Sequence, residues 1–302
     1  MPVKKAAGVI LTVFSLISLF AVTALVFYLQ SKSTYEHYEP WETESILSAL
    51  DTNTSYDLLL MGSSHGRLLS RNRNHSVVEK KLQKNVATIA GGSSCVVPAE
   101  VFLDFFYSKK NSADTILYFI DPWCFYSDPY NNEYSFSHEP FDLGLLISMF
   151  KHQIDTEIMK DYITRTLRQG QTPYVDHAVQ PKTEALEMID EATIDKRLLD
   201  LYEGDIRRKA RPDYLKTFSN IIRKAEAHQS KILFVIPATL YNDPHHTDLI
   251  SLLEANRASY VDLSDVITDP KLYYDHDHLN RNGVEVYVNL LKNELNQFEA
   301  SD

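Results

Sequence analysis

Cysteine is almost absent from this chain: among 302 residues only Cys95 and Cys124 occur. Two are too few for a disulfide-rich module or for a cysteine-built zinc site. Dense basic clusters are missing as well. The formal net charge is −11, and setting aside Lys4 and Lys5 near the N-terminus leaves 28 Lys/Arg against 41 Asp/Glu. Such a surface repels phosphate backbones, which argues against a nucleic-acid partner. Internal repeats and long low-complexity stretches are lacking too. The 44% hydrophobic and 24% charged residues suit an ordinary globular core that needs no staple or partner to form.

Charge is also missing from Ala6 to Leu29. As a helix this run is about 36 Å long, enough to cross a hydrocarbon core of about 30 Å. Lys4 and Lys5 precede it and only Lys32 follows closely, so the positive-inside rule places the N-terminus in the cytoplasm and the rest outside. A cleaved signal peptide is the rival reading, but Val26-Phe27-Tyr28-Leu29-Gln30 offers no small-x-small site. The expectation is a cytoplasmic tip and single-pass anchor over 1–30 in the cytoplasmic or inner membrane, a polar stalk over 31–55 with a short helix near Glu44–Leu50, and a periplasmic or cell-surface domain over 56–302.

Within that domain short apolar runs end at turn formers. Tyr56–Met61 stops at Gly62, Asn85–Ala90 at Gly91-Gly92, Thr115–Ile120 at Asp121-Pro122 and Lys231–Ile236 at Pro237; Ser259–Leu263 is a weaker fifth. Helical patterns lie between them, at Pro98–Lys109, Asp213–His228, Asp248–Ala258 and Arg281–Gln297. This alternation predicts a three-layer α/β/α fold around a mostly parallel sheet, with ligands bound beyond the carboxyl ends of the strands. Residues 124–212 break the alternation. They read as a mainly helical insertion (Phe141–Arg168, Thr183–Asp190, Thr193–Lys209) packed over the sheet edge.

Chemistry is suggested at two distant places. In Leu60-Met61-Gly62-Ser63-Ser64-His65-Gly66 a buried strand ends in glycine and a serine follows at the turn into a helix, whose N–H groups favour developing negative charge. More than 200 residues later, Asp275-x-x-His278 can set a carboxylate beside an imidazole, the pairing that fixes the tautomer of a general base.

Together these stretches resemble the SGNH, or GDSL-like, hydrolase superfamily over residue 57 to about 297, the insertion excepted. Gly62-Ser63-Ser64 resembles the first block, with Ser for the usual Asp and Ser64 as the matching nucleophile. Gly91-Gly92 resembles the second, where a glycine N–H helps form the oxyanion hole with that of Ser64. Asp275-x-x-His278 resembles the last, supplying acid and base. The third block departs: the strand ends Phe119-Ile120-Asp121-Pro122-Trp123, and no Asn stands where the family has its side-chain oxyanion donor. With the N-terminal anchor, this is similar to the membrane-tethered branch that includes DltD and the AlgJ/AlgX-like proteins. The resemblance implies a Ser-His-Asp esterase or O-acyltransferase, without a cofactor or metal, acting on a cell-envelope glycan or other acylated polymer. An MBOAT-type membrane acyltransferase is the implied partner. The missing Asn leaves open a second reading, a non-catalytic domain that binds polymer or scaffolds such an acyltransferase.

Other residues carry alternatives. His65, beside the serine, is structural or touches substrate. Trp123, Phe125, Tyr126, Tyr130, Tyr134 and Phe136 either stack on sugar rings, Trp123 foremost, or pack a loop core. Asp275, His276, Asp277 and His278, with His245 and His246, have the ligand types of a zinc or manganese site. Cys95 and Cys124 are a disulfide or two separate buried thiols.

Overall fold

The computed structural model describes residues 2–35, 50–92, 94–132, 135–136, 139, 141–168 and 181–300. The short helix expected near Glu44–Leu50 falls outside them except for Leu50, which is buried, and Tyr134 also lies outside.

Helix α1 runs from Pro2 to Tyr35, five residues past the expected anchor end at Gln30. Its apolar side chains, among them Ile10, Leu11, Phe14 and Phe20, are exposed. Side chains are described for only part of α1, and among the described residues no helix is long and apolar enough to cross a membrane.

Five strands form the sheet of the described residues: β1 (Ser55–Gly62), β2 (Val86–Thr88), β3 (Ser112–Phe119), β4 (Lys231–Ile236) and β5 (Tyr260–Asp262). Their order is β2-β1-β3-β4-β5, and every pairing is parallel. The strands read as near-continuous apolar runs because both faces are covered. Leu58 and Leu60 of β1 enter one core with Leu117, Leu233 and Val235, against α3 (His75–Leu82) and α11 (Arg281–Ala300). Leu59 and Met61 enter the other core with Ile116, Tyr118 and Phe234, against α4 (Val96–Ser108), α9 (Pro212–Ala227) and α10 (His246–Ala255). Successive residues therefore feed opposite layers, as strand geometry requires, and each fully buried Leu or Phe contributes about 1.5–3 kcal/mol.

The insertion opens with a one-turn helix, α5 (Pro129–Asn132), and differs from its expected form. Phe141–Arg168 is two helices, α6 (Leu143–Lys151) and α7 (Thr156–Arg168), broken where Gln153 takes a φ of 54°. Another helix, α8, covers Glu191–Leu201. Thr183–Asp190 is not helical. Instead it lies as a strap along the loop before α11: Leu186 N–H donates to Tyr273 O (2.8 Å), Arg281 N–H to Lys182 O (2.7 Å) and Asn280 Nδ2 to Glu184 O (3.1 Å). Hydrogen bonds to the domain outweigh the helix propensity of this segment.

Strand order reverses between β1 and β3, since β2 flanks β1 on one side and β3 on the other. Ligands gather at such switch points. Both Ser64 and Asp121 emerge there.

Candidate active site

Gly62 closes β1 with a φ of +114°, and a Cβ there would stand 2.0 Å from the carbonyl oxygen of Phe119 on β3. Only glycine permits both the backbone and the approach. Ser63 follows in extended conformation, and Ser64 opens a one-turn helix, α2 (Ser64–Leu68). That geometry lifts the Ser64 hydroxyl clear of the sheet.

Its partner arrives from far along the chain. Nε2 of His278 lies 2.8 Å from Ser64 Oγ, and Nδ1 of the same ring lies 3.0 Å from both carboxylate oxygens of Asp275. Asp275 also accepts the backbone N–H groups of Asp277 (2.8 Å) and His278 (2.7 Å). Burial alone would raise the Asp275 carboxyl, but the bond to His278, its charge and these two amides hold it below the ordinary carboxylate range. The side chain thus stays an acceptor, and His278 presents Nε2 to the serine.

Of the two glycines assigned to the oxyanion hole, Gly91 is spent: its N–H donates to Gly62 O at 3.0 Å. Gly92 is different. No hydrogen bond from its N–H occurs among the described residues, and a Cβ built there would meet nothing within 4 Å beyond its chain neighbours. Of the donors that the resemblance implies, Ser64 N–H and Gly92 N–H have no backbone acceptor among the described residues.

His65 does not face a substrate. It is 7% exposed, and both ring nitrogens are engaged. Nδ1 pairs with Asp121 (3.1 Å) and Nε2 with the carbonyl of Asp277 (3.0 Å), while the ring stacks on His278 with centroids 5.3 Å apart. Ser63 Oγ donates to the other side of the Asp121 carboxylate at 2.5 Å. Burial opposes charge on His65, but the charge and hydrogen bond of Asp121, helped by Asp277, raise it to about 9. Burial likewise opposes ionisation of Asp121, and His65 and Ser63 outweigh it, leaving that carboxyl below its ordinary value. The pair is imidazolium and carboxylate at neutrality. Neither partner was given a firm role by sequence; the one available signal was a donor (His65) beside the serine and an unexpected acceptor (Asp121) at the end of β3.

Trp123 is 2% exposed and packs edge-on against Tyr130 at 4.9 Å. Phe125, Tyr126 and Phe136 are buried with it, so this aromatic run is core and Trp123 does not offer a face to a sugar. The Asp/His cluster also disperses. Arg197 of α8 donates to Asp277 (2.5 Å), His276 Nε2 accepts the N–H of Asp190 (2.9 Å), His245 joins Asp248 (2.7 Å), and His246 joins Asp262 (2.8 Å). These side chains point to separate partners and do not converge on one centre. Cys95 and Cys124 are adjacent thiols, both buried, with Sγ atoms 2.7 Å apart. Burial pushes both up, so neither is a thiolate.

A cleft of about 280 Å³ opens at the carboxyl ends of β3, β4 and β5, between Asp121, Tyr241, Asp243, His246, Asp262 and Ser264. Burial raises the Asp243 carboxyl to about 6.

No family model matches the chain, and no curated protein does. Among solved structures, that of a candidate acylhydrolase from Bacteroides fragilis NCTC 9343 matches with 10% identity and a TM-score of 0.39, covering 82% of this chain and 88% of that one. A likeness at that score carries no argument about the site, which rests on its own geometry.

Proposed function

We propose that this chain is an SGNH-type serine esterase or O-acyltransferase working on an acylated cell-envelope polysaccharide. The observation that carries this reading is the Ser64–His278–Asp275 chain of hydrogen bonds at the switch point of a parallel sheet. His278 Nε2 takes the hydroxyl proton as Ser64 Oγ attacks an ester carbonyl. The carbonyl electron pair moves onto oxygen, which the N–H groups of Ser64 and Gly92 receive. Collapse expels the alcohol, which takes the proton from His278, and leaves an acyl-Ser64. Water or a sugar hydroxyl then gives its proton to His278 and attacks the acyl group, and His278 returns that proton to Ser64 Oγ as the serine leaves. The first acceptor makes the protein an esterase and the second a transferase.

The polar cleft, which meets the site at Asp121 and is not lined by Ser64 or His278, suits a polyhydroxylated substrate, since carboxylates and hydroxyls pair with sugar hydroxyls. The charge-free run Ala6–Leu29 and the exposed apolar side chains of α1 support a membrane anchor with the domain outside the cytoplasm. An MBOAT-type acyltransferase in the same membrane is the partner this arrangement suits.

The test is turnover by the full-length chain, purified in detergent, on p-nitrophenyl acetate and on acetylated polysaccharide. Ser64→Ala and His278→Ala are expected to abolish turnover, and EDTA to leave it unchanged. A wild-type chain inert on every ester would favour the accessory reading, which the Asp at position 121 supports by removing the side-chain oxyanion donor.

A further inference from the structure

We infer that the buried His65–Asp121 pair is a positioning device that holds the Asp275–His278 loop in register with Ser64; this inference rests on the reading of Ser64 as the nucleophile. Three segments meet at the pair. Asp121 stands just beyond β3 and receives the Ser63 hydroxyl, which ties it to the residue before the nucleophile. His65 stands just after the nucleophile. Its Nε2 reaches across 212 residues of sequence to the carbonyl of Asp277, the residue before His278.

The direction of each bond is fixed by chemistry. A carbonyl oxygen only accepts, so Nε2 carries a proton. The Asp121 carboxylate already accepts from Ser63 and accepts again from Nδ1. His65 is therefore a double donor, a cation locked between two acceptors and stacked beneath His278. The Asp277 carbonyl it grips belongs to the same turn whose amides, Asp277 N–H and His278 N–H, hold Asp275. One imidazolium thus fixes the backbone that orients the acid and the base alike. The position where the resembled family places an oxyanion donor holds the counter-ion of this strut.

A strut of this kind acts on geometry, so its loss should lower kcat and leave KM in place. Misplacing a reacting group by about 1 Å costs about 100-fold. His65→Gln keeps an amide donor for the Asp277 carbonyl but turns an acceptor toward ionised Asp121. The double variant His65→Gln/Asp121→Asn restores a full donor chain without charge, since Asn Nδ2 donates to Gln Oε1 and Gln Nε2 donates to Asp277 O.

The experiment measures kcat and KM on p-nitrophenyl acetate, and amide hydrogen exchange of the peptide spanning 274–280, in the full-length wild type and both variants. Expected is a fall in kcat of about 100-fold in His65→Gln with KM within twofold, faster exchange at residues 277 and 278, and recovery of both readouts to within about tenfold in the double variant. A His65→Gln chain with kcat within threefold of wild type and unchanged exchange overturns the inference. So does a double variant with wild-type exchange and no recovered kcat. Should His65→Gln not fold, the double variant decides on the same two readouts. A wild type without ester turnover ends the esterase reading separately; exchange at 277 and 278 then still decides whether His65 holds the loop.

Discussion

The imidazole of His65 lies stacked under that of His278, at 25° between planes, although the two stand near opposite ends of the domain's sequence. One ring is sealed in a buried ion pair and the other is open to the serine. Two histidines in contact therefore have separate tasks, and which is which follows from their partners and not from their spacing.

The charge on His65 has a consequence for stability. Its value is raised to about 9 when folded, against about 6.5 for an unperturbed imidazole. The folded state therefore binds the proton more tightly, and the stabilisation is complete below about pH 6.5 and is lost as pH rises through about 9. Thermal melts of the full-length chain are expected to show Tm falling between pH 7 and 9.5. The His65→Gln/Asp121→Asn variant should lose that slope. An identical slope in both chains would remove the buried imidazolium from the account.

Asp275 is expected to matter chiefly through the His278 ring, since an Asn oxygen can still accept the loop amides. Asp275→Asn keeps the size of the side chain but presents an amide to Nδ1, favouring the wrong tautomer. The loss in kcat should be large, up to about 10⁴-fold, with little change in KM. A loss below tenfold would mean that the loop backbone orients His278 without help from the carboxylate.

Gly62 is a test of how the site is built. A Cβ at that position meets the Phe119 carbonyl at 2.0 Å, and the left-handed backbone adds strain. Gly62→Ala should destabilise the domain by about 1–3 kcal/mol or more and reduce activity in step, because the strand end that aims Ser64 must shift away from β3. Equilibrium denaturation checks it, and a neutral substitution would show that the β1–β3 contact relaxes freely.

Much of this was legible from sequence. Four of the five strands are apolar runs ended by Gly, Asp-Pro or Pro, and a sheet buried on both faces writes itself that way. Lys231–Ile236 is a strand with the boundaries its pattern suggests. The Ser64 and Asp275-x-x-His278 segments were legible because each carries its chemistry locally. What sequence did not reveal depends on distant partners. Thr183–Asp190 has helix-forming residues but spends its backbone groups on Tyr273, Asn280 and His276. Gly91 is set apart from Gly92 by the Gly62 carbonyl, which claims its N–H. Trp123 follows a strand end on the ligand side, yet it turns inward with Phe125 into the core. His65 and Asp121 become a pair only when β1 and β3 are seen to be neighbours.

The proposed chemistry stands or falls with Ser64 as a nucleophile activated by His278. Incubating the full-length chain with a fluorophosphonate and weighing the intact protein tests it without knowledge of the natural ester. A single phosphonyl adduct is expected, mapped to Ser64 by peptide mass spectrometry and absent from Ser64→Ala and His278→Ala. Equal labelling of the Ser64→Ala variant, or an adduct on another residue of the wild type, would contradict it.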